Sequence, residues 1–356
     1  MNAEMGFRDR DAIITKEKII FRVYGYTHPP NAYICDPEYA PESVYRSTQK
    51  RAFRKTLDRR QAYCKFFSDE GLDFIQKNYP RYVIYYPPLC ERLVGVRQKD
   101  IEEARDPQQR FQQLIQSPTR DALIKEMQTL YGSLKARATL IASDFGVFGS
   151  ILHDFYHPRH SDVDFIIYGR KQLETLQDTL QQFYSENDSK IENEFSSEDS
   201  INGKAWHFKN YTPKEYVWHQ KRKLIYARFK GKTRTIKTEF EPVKRWDEIH
   251  NEYNPKQRIT KAGWIKAEAR ITEDKDALFM PSIYGIEPVQ GVKIENVRRI
   301  LSYVEEFRMQ AKKDETVTVE GNLERVTTPQ ESFYQITLTH GSRYYEQVLK
   351  VAKPES

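Results

Sequence analysis

Two aspartates one residue apart, Asp162 and Asp164, head an apolar run from Phe165 to Tyr168. A β-strand alternates its side chains between two faces, so both carboxylates would lie on one face. Like charges side by side repel, and a cation between them removes that cost. Upstream, Phe145 to Phe148 is a second short apolar run, closed by Gly149-Ser150, a pair suited to opening a helix. The first amides of a helix lack partners within it and can take phosphate oxygens. An acid pair, a divalent cation and a phosphate-binding turn together make up the chemistry of nucleotide handling.

Two more carboxylates stand on a later candidate strand. The stretch Thr235 to Pro242 ends an expected hairpin that runs from Lys223 to Val243 and turns at Lys230-Gly231-Lys232. Glu239 and Glu241 share a strand face with Lys237. Two basic stretches flank these acids in the sequence. Between Arg46 and Lys65 there are eight Lys or Arg against one acid, Asp58, with Tyr45, Phe53 and Tyr63 interleaved. Between Lys221 and Lys237 there are eight more and no acid. Cations that neutralise phosphates, interleaved with rings that stack on bases, are the means by which single-stranded nucleic acid is commonly held. Lys221, Lys223 and Lys237 are therefore candidate triphosphate or acceptor contacts. His153, His157 and His160 offer a different chemistry, since a spacing of four on a helix could put two imidazoles on one zinc or manganese. Trp206, His207, Trp218 and His219 could stack on a base or simply pack.

These residues need elements to position them. Ala12–Thr15 and Ile19–Tyr24 read as paired strands and Tyr82–Tyr86 as a third, with residues 46–65 helical between them. The region from Gln98 to Arg137 looks helical. A strand, a Gly-Ser turn with its helix, the acid strand and a helix over Lys171–Tyr184 follow. Residues 185–204 are polar and acidic and read as an exposed loop. Beyond Asn254 the spans 264–271, 278–286, 299–309, 316–325 and 333–339 predict a small five-stranded barrel of the OB kind.

Net charge is +6, from 57 Lys and Arg against 51 Asp and Glu, which favours anionic partners without naming one. Three well-separated cysteines without a CxxC argue against a disulfide scaffold or a zinc ribbon. No apolar run reaches membrane-spanning length, and the N-terminal residues lack a signal-peptide core, so a cytoplasmic location with no membrane partner is expected.

The Gly149-Ser150 pair, eleven residues before Asp162, and the apolar residues after Asp164 resemble the DNA polymerase β-like nucleotidyltransferase superfamily. The first segment, from Phe21 to Pro41, and the tail resemble archaeal-type proteins with such a domain. The resemblance covers about 143–169, extended by the order of elements to about 245, and implies a central polymerase β-like nucleotidyltransferase domain with a mixed sheet and helices (96–254). The strand patterns on either side add a β-rich N-terminal domain with a basic helix (1–95) and a C-terminal OB-like β-barrel (255–356), an α+β multidomain fold. The resemblance implies that Asp162, Asp164 and a third acid hold two Mg²⁺ or Mn²⁺ ions about 4 Å apart. Gly149 and Ser150 would hold the NTP substrate. Glu239 is preferred as the third acid, because related strands often carry a basic residue two positions earlier, as Lys237 stands here, and proline three positions later, as Pro242 does. The family's usual glycine four positions after the serine is replaced by Asp154. The acceptor implied is a nucleic acid, RNA before DNA. The alternatives are a small-molecule or protein acceptor, a catalytically silent nucleic-acid-binding protein, and a histidine-centred metal hydrolase.

Overall fold

A computed structural model describes residues 6–67, 69–119, 121–201, 206–291 and 294–352. The chain is α+β with several sheets and divides into two compact units. The first is built from Met1–Tyr86, Glu91–Ile191 and Ala227–Tyr253, the second from Pro87–Cys90, Glu192–Tyr226 and Asn254–Ser356.

In the first unit one sheet begins with the expected pair, Ala12–Thr15 against Ile20–Val23. Its longest strand, Ala32–Pro41, has Ile20–Val23 beside it and also pairs with Ala62–Lys65 and Glu91–Arg97. The basic stretch is not a helix. Phe53–Lys55 and Ala62–Lys65 form an antiparallel ribbon, registered Phe53 with Cys64, and its second strand joins the sheet beside Tyr39–Pro41. Pairing to an existing sheet edge outweighs the weak local preference of a Lys/Arg-rich segment.

The continuous helix expected over 98–137 is broken into a strand, Ile101–Arg105, and two helices, Pro107–Gln116 and Ala122–Lys135. Asp106 and Asp121 cap the helices by accepting from backbone amides, and Pro107 takes the first helical position, where its missing N–H costs nothing. The two helices supply Phe111 and Tyr131, whose rings meet Phe145, and Phe111 also meets Phe165 on the second sheet. Burying rings of this size contributes roughly 2–3 kcal/mol each. That second sheet sets Phe145–Val147, Val163–Tyr168, Thr235–Val243 and Tyr226–Lys230 side by side in that order. A helix, Arg170–Ser185, follows the acid strand.

The second unit holds a closed five-stranded barrel. Arg258–Glu273, Ser282–Gln290 and Val297–Ser302 form a meander, and Thr316–Thr327 and Ser332–Leu338 a hairpin. The third strand runs parallel to the fifth, and the fourth pairs back on the first, with Trp264 opposite Asn322, so no edge remains between them. Val348–Val351 adds a sixth strand to the fourth. Alternate residues such as Ala267, Ala269 and Ile271 fill the interior. The strand expected over 299–309 stops at Ser302 and gives way to a 3₁₀ turn at Glu305–Phe307.

Residues 185–204 are more ordered than expected. Ile191–Asn193 is a short strand, and Phe195 and Ile201 are buried against Val217. The part of that stretch from 202 to 204 lies outside the described residues. Among the described residues no helix is long and apolar enough to cross a membrane.

Candidate active site

The strand Val163–Tyr168 (VDFIIY) sorts its side chains by alternation. Phe165 turns to the helix side, where its ring stacks on Phe240 at 5.1 Å and meets Phe111 at 5.8 Å. Asp164, Ile166 and Tyr168 take the other face. The neighbouring strand Thr235–Val243 runs parallel, and its register places Asp164 directly opposite Glu239. Paired residues on adjacent strands project to the same side, with backbones roughly 5 Å apart. Asp164 and Glu239 are therefore side by side, both half-buried, with exposed Asp162 just before the strand. Parallel neighbours need a crossover connection. This explains why acids so close in space are 75 residues apart in sequence.

Burial and the neighbouring Asp162 charge push the Asp164 carboxyl up to about 7, and Glu241 adds to the rise. Lys65 and Arg10 oppose it. Glu241 occupies a different place from Glu239. It is buried, and its Oε2 accepts from Arg10 Nη2 at 3.0 Å, with both side chains nearly excluded from water.

The Gly-Ser turn abuts the acids. Phe148 N–H donates to the Asp164 carbonyl at 3.3 Å. Gly149 has φ +60°, and a Cβ there would stand 3.4 Å from Asp164 Oδ2. The helix it opens is one turn only, Gly149–Leu152, shorter than the sequence implied. Asp154 takes a left-handed φ of +57° two residues on and accepts from Arg110, and Pro158 soon follows. Half-buried Ser150 sits at the second position of the turn.

The basic hairpin strand arrives with its charges arranged. Arg234 donates to the Ser161 carbonyl, next to Asp162. Lys237 is exposed on the strand that carries Glu239. The turn is fixed by Glu126, whose Oε1 accepts from Lys232 N–H at 2.8 Å. Lys221 and Lys223 belong to the second unit. Lys221 is exposed at the end of the helix Pro213–Arg222, and Lys223 is buried with its Nζ donating to the Glu306 carbonyl at 2.7 Å.

The histidines separate as well. His153 is buried between Arg105 and Glu38, against Tyr39 and Phe155, and burial holds its pKa below the ordinary value. His157 and His160 stack on each other at 4.5 Å, and the His157 amide donates to Ser161 Oγ at 2.8 Å, closing the turn. Among the described residues no three His, Cys, Asp or Glu side chains form a ready-made metal cage. In the second unit Trp206 and Trp218 pack on the barrel core, and buried His219 accepts from Val351 N–H, its pKa lowered to about 3 by desolvation.

One constellation escaped the sequence reading. Arg8-Asp9-Arg10-Asp11 is a run of four alternating charges, all buried. The Arg8 guanidinium lies 3.7 Å over the Tyr168 ring and its amide donates to Asp11 Oδ2, while Asp9 accepts from Gly25 N–H at 2.8 Å. Arg8 and Arg10 thus tie the N-terminal segment to Tyr168 on the acid strand and to Glu241 on its neighbour. The available signal was four alternating charges directly before an apolar strand, a pattern a solvated terminus has no need of.

An uncharacterised protein of Methanocaldococcus jannaschii is similar to this chain, 25% identical over 326 residues that cover 90% of this chain and 92% of that one. No family model matches the chain. No solved structure matches it.

Proposed function

We propose that the chain is a Mg²⁺- or Mn²⁺-dependent nucleotidyltransferase that moves a nucleoside monophosphate from an NTP to an acceptor hydroxyl, on nucleic acid and on RNA before DNA. The observation that carries the reading is the register of Asp164 against Glu239 on parallel neighbouring strands, with Asp162 beside them and Gly149 against Asp164.

The donor set fits the metal. Carboxylate oxygens are the hard ligands that Mg²⁺ selects, and Mg²⁺ usually takes one or two carboxylates plus substrate phosphates rather than a full protein cage. That habit is compatible with acids gathered without a closed cage. Burial, with Asp162 and Glu241 nearby, raises the Asp164 pKa, a cost that a bound cation would offset. Asp162, Asp164 and Glu239 would hold the ions, which when bound acidify the attacking hydroxyl and stabilise the leaving pyrophosphate. The chain's own residues do the rest. Asp164 must give up its proton to bind, so occupancy rises with pH through about 7. Glu241, committed to Arg10, orients the strand rather than the substrate. Gly149 leaves the approach to Asp164 open because it has no side chain, and Ser150 offers its hydroxyl and amide to phosphate oxygens. Lys237 and Arg234 offset phosphate charge.

The barrel's strand order, 1-2-3-5-4-1, is that of the OB type, whose surfaces commonly bind oligonucleotides, and this supports a nucleic-acid acceptor. Three free cysteines suit a cytoplasmic protein. The test is Mg²⁺-dependent transfer of label from each α-labelled NTP onto cellular RNA, with Asp162→Ala/Asp164→Ala as control. Label that requires the acids supports the enzyme. RNA binding without label would favour the second reading, a silent binding protein.

A further inference from the structure

The ribbon Phe53–Lys65 combines three properties that bear on what the site acts on. It is densely basic, and Lys50, Arg51, Lys55, Arg59 and Arg60 on or beside it are exposed. It exposes apolar side chains where a monomeric surface gains nothing from them: Phe53 is 41% and Leu57 46% accessible. It is also anchored to the Gly-Ser turn. Leu57 N–H donates to the Asp154 carbonyl at 3.0 Å, the Tyr63 ring lies 4.7 Å from Phe155, and Leu152 and Phe155 share a buried cluster with Tyr63 and Tyr39. The ribbon's last residue, Lys65, acts on the charge of Asp164. A solvated charged face would need neither the exposed ring nor the tether.

We propose that this ribbon is the docking surface for a single-stranded nucleic acid, its cations on the phosphates and Phe53 on a base, and that it leads the strand's end to Asp164. The second half of the proposal rests on the transferase reading and names its acceptor. Charge complementarity selects the occupant: a polyanion with bases satisfies both the cations and the ring, whereas an acidic peptide leaves the ring without a stacking partner.

The test uses the full chain and a fluorescein-labelled oligouridylate, with binding read by anisotropy across a salt series and no NTP present. Lys50→Ala/Lys55→Ala/Arg60→Ala removes three exposed cations. Each single-strand phosphate contact contributes about 0.7 to the slope of log K against log salt, so the slope should shrink by about 2. Phe53→Ala should weaken binding roughly 10-fold at every salt concentration. A control of equal charge change outside ribbon and barrel, Lys77→Ala/Lys99→Ala/Lys135→Ala, also removes exposed cations and should leave the slope alone. Equal slope loss in both triple variants, no loss in either, or retention on phosphatidylglycerol vesicles in place of oligouridylate would overturn the ribbon. Because this readout needs no turnover, ribbon-dependent binding in a protein that transfers no label would keep the docking surface and remove the transferase. Where label is transferred, the ribbon variant should raise KM for the RNA acceptor and leave KM for the NTP unchanged.

Discussion

Replacing Arg10 by Met tests how the acid-bearing sheet is held. Arg10 and Glu241 are 3.0 Å apart, with side chains 2% and 4% exposed. Deleting one partner of such a pair leaves a buried charge without compensation, a loss of about 3–5 kcal/mol. Deleting both and filling the space with apolar side chains is often close to neutral. Arg10 also lies 3.7 Å from Asp9, so Arg10→Met/Glu241→Met still takes a cation from Asp9, and it should recover about half of the single variant's loss. The φ of +71° at residue 10 is common to Arg and Met and cancels from the comparison. Urea unfolding gives the stabilities from the midpoint and slope. A double variant as unstable as Arg10→Met, to within about 0.5 kcal/mol, would refute the reasoning, because removing the uncompensated Glu241 charge would then have relieved nothing. The loss would then belong to packing, for instance to the Arg10 guanidinium 5.5 Å over the Phe148 ring.

Three further outcomes are expected. Glu239→Gln should abolish label transfer, by 100-fold or more if it removes a metal ligand, with the urea midpoint nearly unchanged; a variant as active as the parent would remove Glu239 from the site. In EDTA, stability should fall as pH rises between 3.8 and about 7, since over that window the unfolded chain has released the Asp164 proton and the folded chain still holds it. Asp11, also raised to about 7 by burial, contributes in the same direction, so the effect is read as the difference between parent and Asp164→Asn melting curves, and parallel curves would contradict it. Gly149→Ala should cost about 1–2 kcal/mol for its left-handed backbone and, by crowding Asp164 Oδ2, should raise the Mg²⁺ concentration needed for transfer; an unaltered Mg²⁺ dependence would show that Asp164 does not feel the added methyl group.

The sequence made some elements legible and concealed others for identifiable reasons. The acid strand showed as an apolar run behind Asp162 and Asp164, and the barrel as five successive strand-like spans, though the third of them, 299–309, overran its end at Ser302. Ala32–Pro41, the most connected strand of its sheet, was hidden by Pro37 and Pro41, which ordinarily exclude a strand. The ribbon was hidden because Lys and Arg have no strand signature and only the partner strand supplies one. The helix Pro213–Arg222 was legible and passed over: Thr212, Pro213 and Glu215 form a capping box with proline at the first position. At the site, spacing gave Asp162 and Asp164, and the family resemblance asked for a third acid and left Glu239 and Glu241. What separates those glutamates is Arg10, more than two hundred residues away, and no local pattern encodes a partner at that distance.

The crossover that brings Glu239 to Asp164 also dates the site in the life of each chain. A ribosome adds roughly 5–20 residues per second, so the acid strand waits about 4–15 s for its neighbour to be synthesised. Throughout that interval Val163–Tyr168 has an unpaired edge, the kind of surface that recruits foreign strands, and newborn chains are at their most aggregation-prone then. A message broken or a chain cleaved between residues 169 and 234 yields the two aspartates without their partner. Nascent and truncated products therefore carry the two aspartates without Glu239, and the pairing of Asp164 with Glu239 forms only once synthesis has passed residue 239.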